Sequence, residues 1–322
     1  MKRILIFGVT GQDGSFAADF FLKKKFKVFG LVRKSATGNL QNIQHLLIKK
    51  NFEVIHGDLL DPISLRNAII YSKPNEIYNY ADQDHVRWSF EIPLYSYSVT
   101  SSSLINIFEI LKEFKHIKFL HPISSNIFGQ SKKNKQNEKS TINPQSIYSL
   151  AKASALITSN LYRNVFKLKI YNPIFFNHES ERRPDEYVSR KITKTAVQIY
   201  LGKKKNIFLG DINAKIDWGY APDYVEAAYK LMQLNKPDVM CIGSGKLTSI
   251  KKFLEITFKI LGMNYRKYLK IDQKLIRPSK NSPLIADISK AKKLIKFKPS
   301  TSLRQMIEIM VQNDLKHEKE KN

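Results

Sequence analysis

The sequence predicts an α/β fold, a doubly wound parallel sheet with helices on both faces. Short apolar runs alternate along the chain with longer amphipathic stretches, the pattern of strand–helix–strand units. The first run, "KRILIFG", passes directly into glycines spaced by two residues and then into a segment with helical spacing. A length of 322 residues, 43% of them hydrophobic, supplies a core for one large unit with an appended lobe, or for two modest domains.

In the opening loop, Gly8-x-x-Gly11-x-x-Gly14 precedes a segment whose Phe16, Ala17, Phe20 and Phe21 sit at helical spacing. This is the context a dinucleotide fingerprint requires. Glycines let the backbone turn and approach a pyrophosphate, and the helix start offers free N–H groups and a positive dipole. Thr10, Gln12 and Asp13 fill the same loop and are expected among the cofactor contacts. The second strand, "FKVFGLV", runs into Arg33 and Lys34, where an acidic residue would hold the adenosine ribose. Two readings stand there. The basic pair holds the 2′-phosphate of NADP, or Arg33 stacks on adenine and the cofactor is NAD. "FEVIHGDLLD" is a third strand, ending with Asp58 and Leu59 beside the adenine. "NEIYNYAD" is a fourth, bringing Asn79, Tyr80 and Ala81 to the cofactor phosphates and ribose.

Chemistry is expected at two places further on. "HPISSNIFGQ", residues 121–130, reads as the end of a buried strand that delivers the hydroxyls of Ser124 and Ser125. "PQSIYSLAKAS" contains Tyr148 and Lys152, which share a helix face at i and i+4. A lysine ammonium beside a phenol favours the phenolate, so Tyr148 can take a proton from a substrate alcohol near neutral pH. Tyr187/Lys191 and Tyr200/Lys204 repeat the spacing. They lack the preceding serine strand and the small neighbours Ser146, Ser149, Ala151 and Ala153, and are read as ordinary helix positions.

A net charge of +26 from 54 Lys and Arg raises the question of a nucleic-acid partner. The charge is spread from end to end, and no zinc-ligand set or RNP-type aromatic motif accompanies it. A lysine-rich solvated surface that attracts small anions is expected instead, with no nucleic acid, membrane or metal. The first apolar run is too short for a signal peptide, and no run approaches membrane-spanning length. The single cysteine, Cys241, excludes an internal disulfide, and a cytoplasmic protein is expected.

The glycine loop, Ser124 and Tyr148-x-x-x-Lys152 together resemble the extended short-chain dehydrogenase/reductases. Longer stretches narrow this: "GVTGQDGS", "GDLLD", "NEIYNYADQDHVRWSFEIP", "FFNHESERRPDEYVSRKIT", "IDWGYAPDYV" and "IRPSKNSPLIADISKAKKLIKFKP" resemble the GDP-mannose 4,6-dehydratases over nearly the whole chain. The resemblance implies an NAD(P)-binding Rossmann domain of residues 1–172 with about 218–242. It implies a smaller C-terminal α/β sugar-nucleotide-binding lobe of residues 173–217 and 243–322. It also implies a GDP-sugar substrate, lying along Asn177, Glu179, Ser180 and Arg183 with Lys191 nearby, its diphosphate gripped by Arg277. Tyr148 is then the base, Lys152 its tuner and a ribose contact, and Ser124 the group that positions the hydroxyl. Relatives of this kind imply a homo-oligomer, dimer or tetramer, with residues 33–42 placed to meet a neighbouring subunit.

A 4,6-dehydratase removes hydride from carbon 4, then a proton from carbon 5 with loss of the carbon 6 hydroxyl, and returns hydride to carbon 6. The family motif reads Thr-Ser-Glu where this chain has Ser124, Ser125 and Asn126. The Asn126 amide keeps the pocket polar but cannot act as a general acid or base near neutral pH. "NYADQDHV" replaces the family's "NLAAQSHV", so Asp82 and Asp84 are new acids, either bonded to a more hydroxylated sugar or a surface-facing or salt-bridged pair. "IDWG" replaces "RDWG", so Ile216 stands for a phosphate-binding arginine that Lys215 is placed to replace. The reading that follows is an NAD-dependent GDP-sugar 4-dehydrogenase that stops at the ketone. Net oxidation favours NAD over the largely reduced NADP pool. The resemblance suggests GDP-D-glycero-D-manno-heptose, of bacterial capsule biosynthesis, as the sugar. The alternatives are a true 4,6-dehydratase of GDP-mannose or GDP-heptose, a 4-keto-sugar reductase, and a non-catalytic binding protein.

Overall fold

The computed structural model describes residues 1–36, 38–131, 135–275 and 283–320. Its central sheet contains β1 (Arg3–Phe7), β2 (Lys27–Val32), β3 (Phe52–His56), β4 (Glu76–Asn79), β5 (Lys118–Leu120), β6 (Ile123–Ser124), β7 (Lys169–Phe175) and an edge strand, Val239–Ile242. The order is edge strand, β7, β5, β4, β1, β2, β3, with β6 paired to β7. Every pairing is parallel. β1 has β2 on one side and β4 on the other, so the chain winds outward from it in both directions. The carboxyl ends of β1 and β4 therefore flank the switch point where such sheets bind ligands.

A sheet covered on both faces needs strands that are apolar throughout, and Ile4, Leu5, Ile6 and Phe7 of β1 are fully buried. The helices Gln12–Lys23 and Ala221–Met232 pack together on one face, while Pro62–Ser72, Ser103–Leu111 and Ile147–Val165 adjoin one another on the other. Local signals set their starts. Asp61 accepts from the Ile63 N–H at 3.1 Å with Pro62 at the first helical position. Ser146 and Ser149 form a reciprocal capping box at the head of Ile147–Val165.

A second hydrophobic cluster gathers Ile192, Val197, Trp218, Phe253, Phe258 and Met310. It lies among the helices Val188–Tyr200, Ile250–Ile260 and Leu303–Glu320 and two small ribbons. The ribbons pair Lys215–Asp217 with Leu247–Ser249, antiparallel, and Ile207–Leu209 with Leu269–Ile271, parallel. Arg190 and Asp314 form a buried ion pair at 2.7 Å between two of these helices. Asp217, almost fully buried, ties the lobe's loops to the sheet. It accepts from the Ser244 N–H at 2.8 Å, the Ser244 hydroxyl at 2.5 Å, and the Gly245 and Ala286 N–H groups at 3.0 Å each. Among the described residues, no helix is long and apolar enough to cross a membrane.

Candidate functional site

The glycine loop forms a cradle in which side chains do not fit. Gly8 has φ +73°, and a Cβ there would lie 2.6 Å from the Ala81 nitrogen beyond β4. A Cβ on Gly14 would lie 2.2 Å from the Gly8 carbonyl oxygen. The Gly11 N–H donates to that same carbonyl at 3.1 Å, and Gly11 caps the following helix without any side-chain bond. The helix start is thus bare backbone aimed into the crevice, which fits a dinucleotide pyrophosphate. Thr10 is held from the side, its carbonyl accepting from Asn42 at 2.9 Å.

Beyond β2, Val32, Arg33, Lys34, Asn39, Leu40 and His56 line an open cleft of ≈ 430 Å³. Arg33 is exposed there and donates to the Tyr95 hydroxyl at 2.9 Å. Leu59 is buried, and Asp58 accepts from the Leu60 N–H at 2.9 Å. Tyr80 is partly buried and stacks on Tyr78 at 6.3 Å, its hydroxyl having no hydrogen-bond partner among the described residues.

At the end of β6, Ser124 begins a short helical turn, and its hydroxyl accepts from the Asn126 N–H at 3.2 Å. Tyr148, in the first turn of Ile147–Val165, is buried, and the Ser124 side chain acts on its phenol. Lys152 lies one turn on, 3% exposed. Its ammonium donates to the Pro122 carbonyl at 2.6 Å and forms an ion pair with Asp82. The spacing predicts a lysine that draws Tyr148 toward phenolate, and the structure differs. Burial first, then the charges of Asp82 and Asp84, push the phenol well up, while Ser124 and Arg183 pull only part of the way back. Of the two readings of Asp82, the salt-bridged one holds. Burial raises its carboxyl, and Lys152 offsets only part of that.

The segment after β7 closes over the glycine loop. His178 meets Asp13 with Nε2 2.8 Å from Oδ2, and Gln12 accepts from the Ser180 hydroxyl at 2.7 Å. Glu179 is buried, accepts from the Ser189 hydroxyl at 2.6 Å and faces Arg183 at 3.5 Å. Arg183 also donates to Asp84 at 3.4 Å and stacks over the Tyr187 ring at 3.5 Å. Asn177 is exposed, its carbonyl accepting from the Gly219 N–H at 2.9 Å.

Contacts among the described residues thus connect Lys152 with Asp82, and Arg183 with Asp84, Glu179 and Tyr187. Ser125 is buried beside Ser124 in the chain, and Asn126 half-buried. Lys191 and Lys215 stand apart in the second cluster's elements. Burial lowers the Lys191 ammonium against the pull of Asp272, and Lys215 is exposed on its ribbon. Arg277 lies outside the described residues. Two members of the cluster escape a reading of the sequence. Tyr187 shares its i, i+4 pattern with ordinary helix positions, yet burial and Asp84 hold its phenol high, and its hydroxyl has no hydrogen-bond partner among the described residues. His178 carries no motif that marks it as the partner of Asp13.

Comparison with known proteins agrees with this geometry. The family model described as GDP-mannose 4,6 dehydratase matches residues 5–310. The chain is 36% identical over 325 residues to GDP-mannose 4,6 dehydratase 1 of Arabidopsis thaliana, covering 98% of this chain and 90% of that protein. It is 32% identical to GDP-mannose 4,6-dehydratase of Sinorhizobium fredii, covering 98% and 97%. Its fold matches the crystal structure of dTDP-glucose 4,6-dehydratase from Bacillus anthracis in complex with NAD. That match has a TM-score of 0.88 at 20% identity and covers 99% of this chain and 98% of that one.

Proposed function

The chain belongs to the GDP-mannose 4,6-dehydratase family, and from that membership we propose that it is an NAD-dependent GDP-sugar 4,6-dehydratase. The observation that carries the reading is buried Tyr148 one helical turn before buried Lys152, with the Ser124 side chain acting on the phenol. Bound NAD supplies the hydride acceptor at carbon 4 and the donor at carbon 6. Ser124 orients the carbon 4 hydroxyl, Tyr148 takes its proton, and Lys152 holds the cofactor ribose. Gly8, Thr10, Gln12 and Asp13 receive the pyrophosphate side, with Arg33 over the adenine; Asp58, Leu59 and Tyr80 complete that pocket. Arg183, Glu179 and Asn177 face the nucleotide-sugar with Lys191 nearby, and Arg277, with Lys215, grips its diphosphate. Residues 1–172 with about 218–242 form the cofactor domain and the remainder the sugar-nucleotide lobe. The exposed apolar side chains Ile105, Leu150, Ile157, Leu161 and Val165 lie on two contacting helices and support a homo-oligomer that covers them.

A second reading rests on Asn126. Elimination across carbons 5 and 6 needs a side chain that takes and gives a proton, and an amide does neither. A chain that oxidises carbon 4 and stops is a GDP-sugar 4-dehydrogenase, and GDP-D-glycero-D-manno-heptose is then the sugar proposed. Incubation with GDP-mannose and with the GDP-heptose, followed by mass spectrometry, separates the two. Loss of water is expected. Loss of two hydrogens with lasting reduced nicotinamide establishes the dehydrogenase, and no change in either sugar overturns both.

A further inference from the structure

We propose that Asp82 is a positioning residue that holds the Lys152 ammonium against the turn between β5 and β6 and compensates its charge. Tyr148 then stays a protonated phenol to a higher pH than a lone tyrosine–lysine pair allows. The inference rests on the acid–base role given to Tyr148 above: with Asp82 in place the phenol gives up its own proton, as it must before it acts as a base, only at higher pH.

Geometry carries it. Lys152 is all but fully buried and ends on two acceptors, the Pro122 carbonyl at 2.6 Å and the Asp82 carboxylate. Asp82 side-chain exposure is 9%, and its Oδ1 has no hydrogen-bond partner among the described residues. A carboxylate buried this deeply is sustained by a cation, and Lys152 is the cation it contacts. An ammonium paired at contact distance presents far less positive field to a neighbouring phenol than a free one does.

The other charges facing these two side chains do not replace Asp82. His121, beyond Lys152, is held neutral by its burial and by the lysine, and bonds Asn79 at 3.1 Å. Asp84 and Arg183 both act on Tyr148, but they face each other at 3.4 Å and offset one another. Tyr187 stays a neutral phenol under burial and Asp84. Asp82 also follows Ala81, whose backbone abuts Gly8, so it sits where the cofactor cradle meets the Tyr148 helix.

The test reads the phenol directly. NAD-loaded protein labelled with ring-13C tyrosine is titrated by NMR, and Tyr148→Phe identifies the Tyr148 signal. In Asp82→Asn that signal should titrate at least about one pH unit lower than in the native chain. Asp82→Ser serves the same purpose if the asparagine variant does not fold, and Asp84→Asn should shift the signal less. A Tyr148 signal that titrates at the same pH with and without Asp82, or in neither protein, overturns the proposal. The readout needs no turnover. A shift without sugar dehydration counts against the proposed reaction alone, and dehydration without a shift counts against Asp82 alone.

Discussion

His178 Nε2 lies 2.8 Å from Asp13 Oδ2, joining the segment after β7 to the loop that forms the cofactor cradle. His178 is also fixed from behind, stacked on Tyr224 at 4.7 Å with its Nδ1 2.9 Å from the Phe176 carbonyl. Burial raises the Asp13 carboxyl, but the charge and hydrogen bond of His178 outweigh it, and the carboxyl lies below its ordinary 3.8. Burial lowers the imidazole, but Asp13 outweighs that, and it lies above 6.5.

The pair's contribution to stability has a defined window. The histidine part is complete below 6.5 and is lost as pH rises through the raised folded value. The aspartate part is complete above 3.8 and is lost as pH falls through the depressed folded value. His178→Ala should cost about 3 kcal/mol inside that window, as for a buried pair robbed of one partner. The penalty should shrink at alkaline pH. Urea unfolding of both proteins across the range checks this, and a penalty independent of pH refutes it.

Gly14→Ala should leave the protein folded but weaken dinucleotide binding. Its Cβ would meet the Gly8 carbonyl oxygen at 2.2 Å and Val9 Cα at 2.8 Å, so backbone has to move. Overpacking of this kind costs about 1–3 kcal/mol, or roughly tenfold in affinity. Titration calorimetry with NAD measures the loss.

Tyr148→Phe removes the phenol hydroxyl while keeping the ring buried. The rate of nicotinamide reduction on a GDP-sugar should fall at least about 10²-fold, the size of a general-base contribution. NAD affinity should be unchanged. Rapid-mixing absorbance gives the first value and calorimetry the second; a rate near the native one removes Tyr148 from the chemistry.

Asp217→Ala strips the acceptor from the N–H groups of Ser244, Gly245 and Ala286. Donors left unsatisfied cost about 1–3 kcal/mol each where buried, and a total loss of about 3 kcal/mol is expected because the loops can relax toward water. Denaturant midpoints measure it. Asp217→Asn, which keeps one carbonyl oxygen, should recover part of the loss.

Much of the frame was legible because local pattern and tertiary demand coincide. The runs read as strands at residues 2–8, 26–32, 52–61 and 75–82 enclose β1 to β4. Ser146 and Ser149 mark the start of the helix carrying Tyr148, and the glycine spacing marks a turn whose side-chain positions the fold leaves no room for. These are short-range constraints. Backbone sterics and capping act over a few residues, so they show in a single sequence.

What the sequence by itself determined is therefore the parallel α/β class and the tight glycine turn, and it named Ser124, Tyr148 and Lys152 as the set to propose. What only the tertiary structure decided is the electrostatic state of that set. Asp82 is 70 residues from Lys152 and Asp13 is 165 from His178, and nothing local says which acid meets which base. Proton affinities depend on burial and on charges a few ångströms away, whatever their distance along the chain. The fold brought Asp82 to the lysine rather than to open solvent, a placement invisible in the motif.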